Sequence, residues 1–514
     1  MKRRNFIKSG SLGLTGLGLS SSVLSLASET SISDIHLPVE EDYLLNFHLM
    51  HPGGDSYTSD PNAAFYLDGT YHLHYINRHP WKDKHSHSFI HVSSNDMLHW
   101  KWHKTRLQPS FTGHGMYSGT GFITKKGKPA IIYHGQGSAR NQIAIAKDNK
   151  LSAWEKPYPV EVIAKDGKAP EIRHWDPDCF LIGDTYYGIS GGKNPQVFKS
   201  NDLKKWVFVG DFMKYELPDV AIGEDISCAN FFKIGDKWML LCISHPWGCR
   251  YYLGDWDAEN EQFVPQIHER MNWRREDQAF FGYGPDDFFA PESVLTPDGR
   301  RVMWAWLITD EPNIPNKSIM SLPRELSLNE DGTLGISPLR ELESQRYDER
   351  SYKNVEVKME PRVNGGDSSI KITDLEGDAY EIKAVISRKE AKNKRMGFHL
   401  FAGKEKSGFP VIVNPVTKAI RVGPTEAPFL VGELPEGDDL EIRIFIDRYL
   451  IEVFVNDRQA VSGHFMDYKA NTGLYAYTFG AGTIIKELKI WKIRPTNQGF
   501  LEARENQIWK VDAE

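Results

Sequence analysis

The sequence predicts an all-β protein, a five-bladed β-propeller followed by a C-terminal β-sandwich. Three observations predict it: five strand-turn-strand units that each open on a short polar residue, an internal heptad repeat, and a change of strand style near residue 345. At 514 residues the chain exceeds one ordinary domain. The heptads SNDMLHW (from Ser94) and SNDLKKW (from Ser200) share four of seven residues and lie two units apart. An internal period of roughly 40–60 residues marks radial or solenoid repetition, which also hides sheet edges.

The first unit is SYTSDPNAAFYLDGTYHLHY. An acid-Pro-Asn step leads into an apolar run, then an Asp-Gly turn and an alternating strand, which is a β-hairpin by period. Its carboxylate is Asp60. The second unit, MYSGTGFITKKGKPAIIYHG, lacks an acid and carries Ser118. The third, HWDPDCFLIGDTYYGIS, carries Asp176; the fourth, GEDISCANFFKIGDKWMLLC, carries Glu224 and Asp225; the fifth, FFAPESVLTPDGRRVMWAW, carries Glu292. Acids at the start of innermost strands are expected to meet in one central pocket.

The propeller is expected over residues 36–345 and the sandwich over 354–495, with residues 496–514 as a terminal tail or short helix. The sandwich reading rests on ten short alternating strands, from VEVKMEP to IIKELKIWKI, separated by Gly, Pro, Asn and Asp. Residues 1–27 read as a twin-arginine-type export signal: Arg3 and Arg4, then Phe6, Ile7 and Lys8, an apolar stretch, and small residues at Ser25 and Ala27. A periplasmic or secreted protein is expected. No later stretch has the roughly 20 apolar residues of a membrane span.

A net charge of −7 with no long basic run argues against a nucleic-acid partner. The 14 Trp, 21 Tyr and 26 Phe suit sheet interiors and also the apolar faces of sugar rings. The spacing of Cys179, Cys228, Cys242 and Cys249 matches no zinc pattern, and buried free thiols are expected, with a Cys242–Cys249 pair left open. No metal cluster, phosphate-cradling loop or Ser-His-Asp constellation stands out, so no cofactor is expected.

The motifs in order resemble glycoside hydrolase family 32, of β-fructofuranosidase, levanase or inulinase type. SDPNAAFYLDGTYHLHY is similar to the family's Asn-Asp-Pro-Asn-Gly motif, MYSGTGF to its Phe-Ser-Gly motif, and HWDPDCF to its Arg-Asp-Pro motif. SLPREL resembles the end of the catalytic domain, and IDRYLIEVFVND is the most specific match in the sandwich, where it looks built to pack. The resemblance implies the same propeller and sandwich and cleavage of β-fructofuranosidic bonds in fructans or sucrose-like saccharides.

Glycoside cleavage needs one ionised carboxylate and one proton donor on opposite sides of the bond. Asp60, short and held before Pro61, is the expected nucleophile, giving retention through a fructosyl ester. Asp176, also before a proline, is expected to bind ring hydroxyls and stabilise the transition state. The chain departs from the family pattern at Ser59, Ala63 and Trp175, and most seriously at Ser227, where the family's acid/base Glu precedes a Cys. Strand parity favours Asp225 as the substitute acid, Glu224 can enter through a bulge, and Glu292 is a further candidate. Asn62, Tyr117, Ser118, Trp175 and Glu292 are candidate substrate contacts. His87, Trp81, Trp273, His245 and Arg250 are weighed equally as contacts or packing. The alternatives are another propeller glycosidase, arabinosidase-like in specificity, or a non-catalytic glycan-binding protein with a decayed site. A saccharide is the expected partner; the oligomeric state is not readable.

Overall fold

Alternating apolar residues and two-residue turns make each polar-led unit a hairpin. In the first, Leu67 pairs with Thr70 across Asp68 and Gly69, whose φ values are +48° and +84°. Two successive positive φ angles give a type I′ turn, whose twist matches that of the flanking strands. The computed structural model describes residues 43–51, 59–168, 170–271, 287–308, 318–359, 368–392, 394–464 and 466–512, all within one compact unit. The export-signal residues and Trp273 lie outside the described residues.

Seven sheets form. The lead strands of five of them are Pro61–Leu67, Gly115–Ile123, Pro177–Ile182, Ser227–Ile234 and Asp287–Leu295, and each runs antiparallel to the next strand in sequence. These five sheets have four or five strands. Two six-stranded sheets follow, one beginning with Arg346–Val357 and the other with Ser369–Asp374. They share an apolar layer that includes Ile382, Ile442 and Ile444 from one, and Phe398, Val411 and Leu474 from the other.

These pairings correct the predicted five-bladed propeller followed by a β-sandwich. All seven sheets are open among the described residues, and none closes into a barrel or propeller or curls into a sandwich. The period-2 pattern specifies pairing inside each hairpin unit, but it carries no instruction for hydrogen bonding between units.

The five lead strands nevertheless lie against one another, joined by side chains. Asn62 Oδ1 accepts from Gly119 N at 2.9 Å, tying the first sheet to the second. Asp178 ties the third to both neighbours, accepting from Thr120 Oγ1 at 2.6 Å and from Phe231 N at 2.6 Å. Ser293 donates to Asn230 between the fifth and fourth, and Glu292 Oε1 accepts from Ala64 N at 3.2 Å between the fifth and first. Each clasp satisfies a buried polar group that would otherwise cost about 1–3 kcal/mol.

The heptad repeat is one turn used twice. Asp96 Oδ1 accepts from Leu98 N and His99 N; Asp202 Oδ1 accepts from Lys204 N and Lys205 N. Met97 and Leu203 take φ +63° and +65°, and the closing Trp100 and Trp206 are buried.

The six-stranded part is locked to the lead-strand part through IDRYLIEVFVND. Asp447 accepts from the backbone N–H groups of Asn46, Phe47 and His48 and from His48 Nδ1 at 2.9 Å. Glu452 accepts from Leu322 N at 2.6 Å and from Arg324 at 2.7 Å. A C-terminal helix, Gln498–Asn506, returns to the first sheet, where Phe500 meets Trp102 edge-on at 5.8 Å. No helix among the described residues is long and apolar enough to cross a membrane.

Candidate active site

Four of the five lead strands carry a register shift in the half where the polar residues cluster, at Pro61/Ala63, Met116/Gly119, Ser227/Asn230 and Phe289/Glu292. Bulges break strand alternation and re-aim side chains, and here Tyr117, Ser118, Cys228 and Phe289, at three of these shifts, line one cleft. Cys228 (φ +48°) and Ala290 (φ +46°) sit at two of these shifts.

The cleft has a volume of about 250 Å³. Asp60, Ser118, Asp176 and Cys228 form its polar end, and Tyr117, Trp175, Ile243, Phe289 and Trp306 its apolar walls, with His245 at one side. A larger cleft of about 370 Å³, lined by Tyr251, Arg270, Lys418 and Arg458 among others, contains one carboxylate from Glu269 and one from Glu433 but no buried acid pair.

Asp60 and Asp176 each immediately precede a lead strand, followed by a proline that occupies the strand's first position. Asp60 Oδ2 accepts from Ser118 Oγ at 2.8 Å, and Asp176 Oδ2 accepts from Cys228 N at 3.2 Å. Cys228 Sγ lies 3.8 Å from each carboxylate, so one thiol bridges the two acids. Burial pushes the Asp60 carboxyl up to about 6, with Ser118 opposing and the Asp176 charge adding. Burial also raises Asp176, against the pull of His245 and the Cys228 N–H.

The other expected residues have different surroundings. Asp225 stands beside the cleft behind His245: its Oδ2 accepts from Ser227 Oγ at 2.7 Å and from His245 Nδ1 at 2.6 Å, and its Oδ1 accepts from His245 N at 2.9 Å. Trp175 Nε1 donates to Ser227 Oγ at 3.0 Å, extending this network to the cleft wall. Glu224 turns away, held at 2.8 Å by Arg250 on one oxygen and by Arg270 on the other. Arg250 is thereby committed to an ion pair. Asn62 and Glu292 serve as clasps, with Glu292 only 1% exposed. His87 stands behind Tyr117, ring centroids 4.6 Å apart.

Burial would raise the Asp225 carboxyl, but the His245 bonds and charge and the Ser227 hydroxyl pull it down to about 2. His245 is raised above its ordinary 6.5, chiefly by its Asp225 bond and against burial, with Asp176 and Asp60 adding.

Sequence reasoning missed Phe289 and Trp306 as walls. Alternation in MWAW leaves Trp304 and Trp306 on one face and both join one core cluster, so nothing in the motif marks Trp306 as a cleft wall. All four cysteines are free and buried. Among the described residues, no group of three or more His, Cys, Asp or Glu is placed to hold a metal ion.

The family model for the glycosyl hydrolases family 32 N-terminal domain matches residues 48–338, and that for the family's C-terminal domain matches residues 341–492. The chain is 26% identical to a levanase of Bacillus subtilis, over 89% of this chain and 72% of that protein. It is 26% identical to a sucrose-6-phosphate hydrolase of Escherichia coli, over 91% of this chain and 98% of that protein. Among solved structures, the sucrose-6-phosphate hydrolase from Lactobacillus gasseri shares the fold with a TM-score of 0.69 at 20% identity, covering 89% of this chain and 94% of that one.

Proposed function

The chain belongs to glycosyl hydrolase family 32 and is a glycoside hydrolase of fructofuranosidase type, and we propose that it works with retention, through a fructosyl ester on Asp60. The observation that carries this reading is the pair of fully buried acids, Asp60 and Asp176, bridged by Cys228 at 3.8 Å from each. Buried carboxylates held by only a hydroxyl or a backbone N–H are costly, and such groups concentrate at reactive sites.

In this reading an Asp60 oxygen attacks the anomeric carbon of the fructosyl unit. With its carboxyl at about 6, Asp60 is mostly ionised at neutral pH and is a better nucleophile than a strongly paired acid. Asp176 accepts from ring hydroxyls and offsets the positive charge that develops on the ring. Trp175, Phe289 and Trp306 offer apolar surface to the sugar and to the leaving group. A volume below the roughly 300–1,000 Å³ of drug-sized sites suits a single sugar ring. No Lys or Arg lines the cleft among the described residues, which favours an uncharged saccharide over a phosphorylated one.

Residues 36–345 are taken as the catalytic part and 354–495 as the supporting part. Export through the Arg3–Arg4 signal, to the periplasm or beyond, belongs to the same proposal. Fusing residues 1–27 to a reporter that requires twin-arginine export tests it, and a reporter left in the cytoplasm counts against it.

The test of the reaction is product release from inulin, levan and sucrose by the parent and by Asp60→Asn. The variant should lose at least 10⁴-fold in kcat, and the parent should yield first a β-configured fructose by NMR. Parent-like turnover in Asp60→Asn removes Asp60 from the mechanism, and binding of these glycans without turnover by the parent makes this a glycan-binding protein.

A further inference from the structure

Resting on that hydrolase reading, the geometry points to His245, oriented by Asp225, as the proton donor and acceptor of the reaction, in the place left by the glutamate absent at Ser227. His245 follows the second strand of the fourth sheet, Lys237–Ser244, and reaches the cleft that holds Asp60 and Asp176. Ser227 pairs with Ile243 in the same hairpin, so position 227 and His245 lie at the same end of it. The loss of a carboxyl at 227 and the presence of an imidazole two residues beyond its partner are thus spatially one change.

The other acids are unsuited to donate. Asp225 accepts three hydrogen bonds, from Ser227 Oγ, His245 Nδ1 and His245 N, which fix it as an ionised acceptor. Glu224 is bracketed by Arg250 and Arg270, and Glu292 is buried on Ala64 N. Cys228 sits between the two cleft acids, 3.8 Å from each.

The Asp225–His245 pair has the geometry of an oriented acid/base. The Asp225 carboxylate accepts from Nδ1, so Nδ1 carries a proton in both charge states and Nε2 is the nitrogen that exchanges one. Among the described residues, the charged groups acting on the ring are Asp225, Asp176 and Asp60; all three are carboxylates and favour the imidazolium. With its side chain 43% exposed, His245 can also recover a proton from solvent.

The steps balance. As an Asp60 oxygen bonds to the anomeric carbon, the carbon–oxygen bond to the leaving group breaks with its electron pair, and that oxygen takes the proton from Nε2. Neutral His245 then takes a proton from water as the water oxygen attacks the same carbon. The ester bond breaks, Asp60 returns to carboxylate and His245 to imidazolium.

The test compares two leaving groups. Sucrose, inulin and levan leave as poor alkoxides, whereas β-fructosyl fluoride leaves with little need of a proton. His245→Gln should lose about 10²–10⁴-fold in kcat/KM on the saccharides, the usual share of general acid catalysis, and under 10-fold in kcat/KM on the fluoride, whose kcat falls because ester hydrolysis has lost its base. Added azide should speed fluoride turnover by that variant and yield fructosyl azide. Asp225→Asn should move the alkaline limb of the parent's kcat/KM profile at least one pH unit lower, a readout available even if the histidine variant fails to fold. Equal losses of kcat/KM on both substrate types, or an unmoved alkaline limb in Asp225→Asn, overturn the assignment and leave the hydrolase reading intact. No turnover of any of the four substrates by the parent overturns the hydrolase reading and this assignment with it.

Discussion

Asp60 with Asp176 in the cleft, and Asp447 with Glu452 at the junction of the lead-strand sheets with the six-stranded ones, are buried acid pairs that titrate in opposite directions. The cleft acids are raised by burial, Asp60 to about 6. The junction acids would be raised by burial too, but His48 and Arg324 bring both below their ordinary values. His48 in turn is pushed up to about 9, its bonds to Asp447 and Glu452 outweighing burial. Burial is common to both regions; the supply of buried cations is not. A carboxylate given a buried cation becomes a structural lock; one denied a cation is raised, whether it faces the cleft, as Asp60 does, or clasps two sheets, as Asp178 does at about 6.

The largest effect that follows is a reversal of sign at Asp60. An acid whose folded pKa is raised adds stability below its unfolded value and loses it as pH rises through the folded one, here from 3.8 to about 6. At neutral pH the ionised Asp60 therefore costs up to about 3 kcal/mol. Asp60→Asn should abolish turnover yet raise the thermal midpoint, measured by calorimetry at pH 7. A lowered midpoint with the same fold shows that Asp60 is a structural residue, and the contrast with the junction dissolves.

Glu452→Gln should do the opposite. It leaves the Arg324 guanidinium buried and short of its partner, at a cost of about 3–5 kcal/mol. The unfolding free energy should fall by that amount while kcat of the folded fraction stays within a few fold. A loss of kcat without a loss of stability ties the junction to catalysis.

The pH dependence of stability sharpens the contrast further. The contribution of His48 is complete below 6.5, declines as pH rises, and is gone above about 9. Those of Asp447 and Glu452 are present above their ordinary 3.8 and 4.5 and vanish on acidification. The junction is thus strongest between about pH 5 and 6.5. His48→Asn should flatten the decline between pH 6.5 and 9 seen in the parent's midpoint. An identical decline in the variant assigns the alkaline loss elsewhere.

The same contrast explains what the sequence makes legible. Asp60 and Asp176 stand out because an acid-Pro step before an apolar run is a local signal, and the junction motif stands out because its acids sit in an apolar strand pair. Glu224 and Asp225 stay ambiguous because the strand begins at Ser227 and Cys228 takes φ +48°, which breaks the parity that would rank them. Glu292 has the same local layout as Asp60, yet the register shift at Phe289/Glu292 directs it to Ala64 N and not to the cleft. His245 and its hold on Asp225 depend on how two strands pair, which no linear motif encodes. The separate, open sheets are likewise invisible, because the clasps between them join residues more than fifty positions apart.

The smallest effect separates tuning from chemistry inside the cleft. Ser118 supplies a hydrogen bond to Asp60 Oδ2 at 2.8 Å, and that bond is what most opposes the upward push of burial. Ser118→Ala removes it without removing a charge, so the Asp60 carboxyl should titrate above about 6. A charge-assisted hydrogen bond contributes about 1.5–3 kcal/mol at most, and water entering the cleft recovers part of that, so the shift should be about one pH unit. The acid limb of kcat/KM should move up by that amount, leaving activity at pH 8 within a few fold of the parent and activity at pH 5 roughly tenfold lower. By the same linkage the unfolding free energy at pH 7 should fall by about 1 kcal/mol, because a carboxyl raised one further unit is costlier to ionise in the fold. An acid limb that stays in place shows that a group other than Asp60 sets it, and a large loss at every pH shows that Ser118 touches the substrate itself.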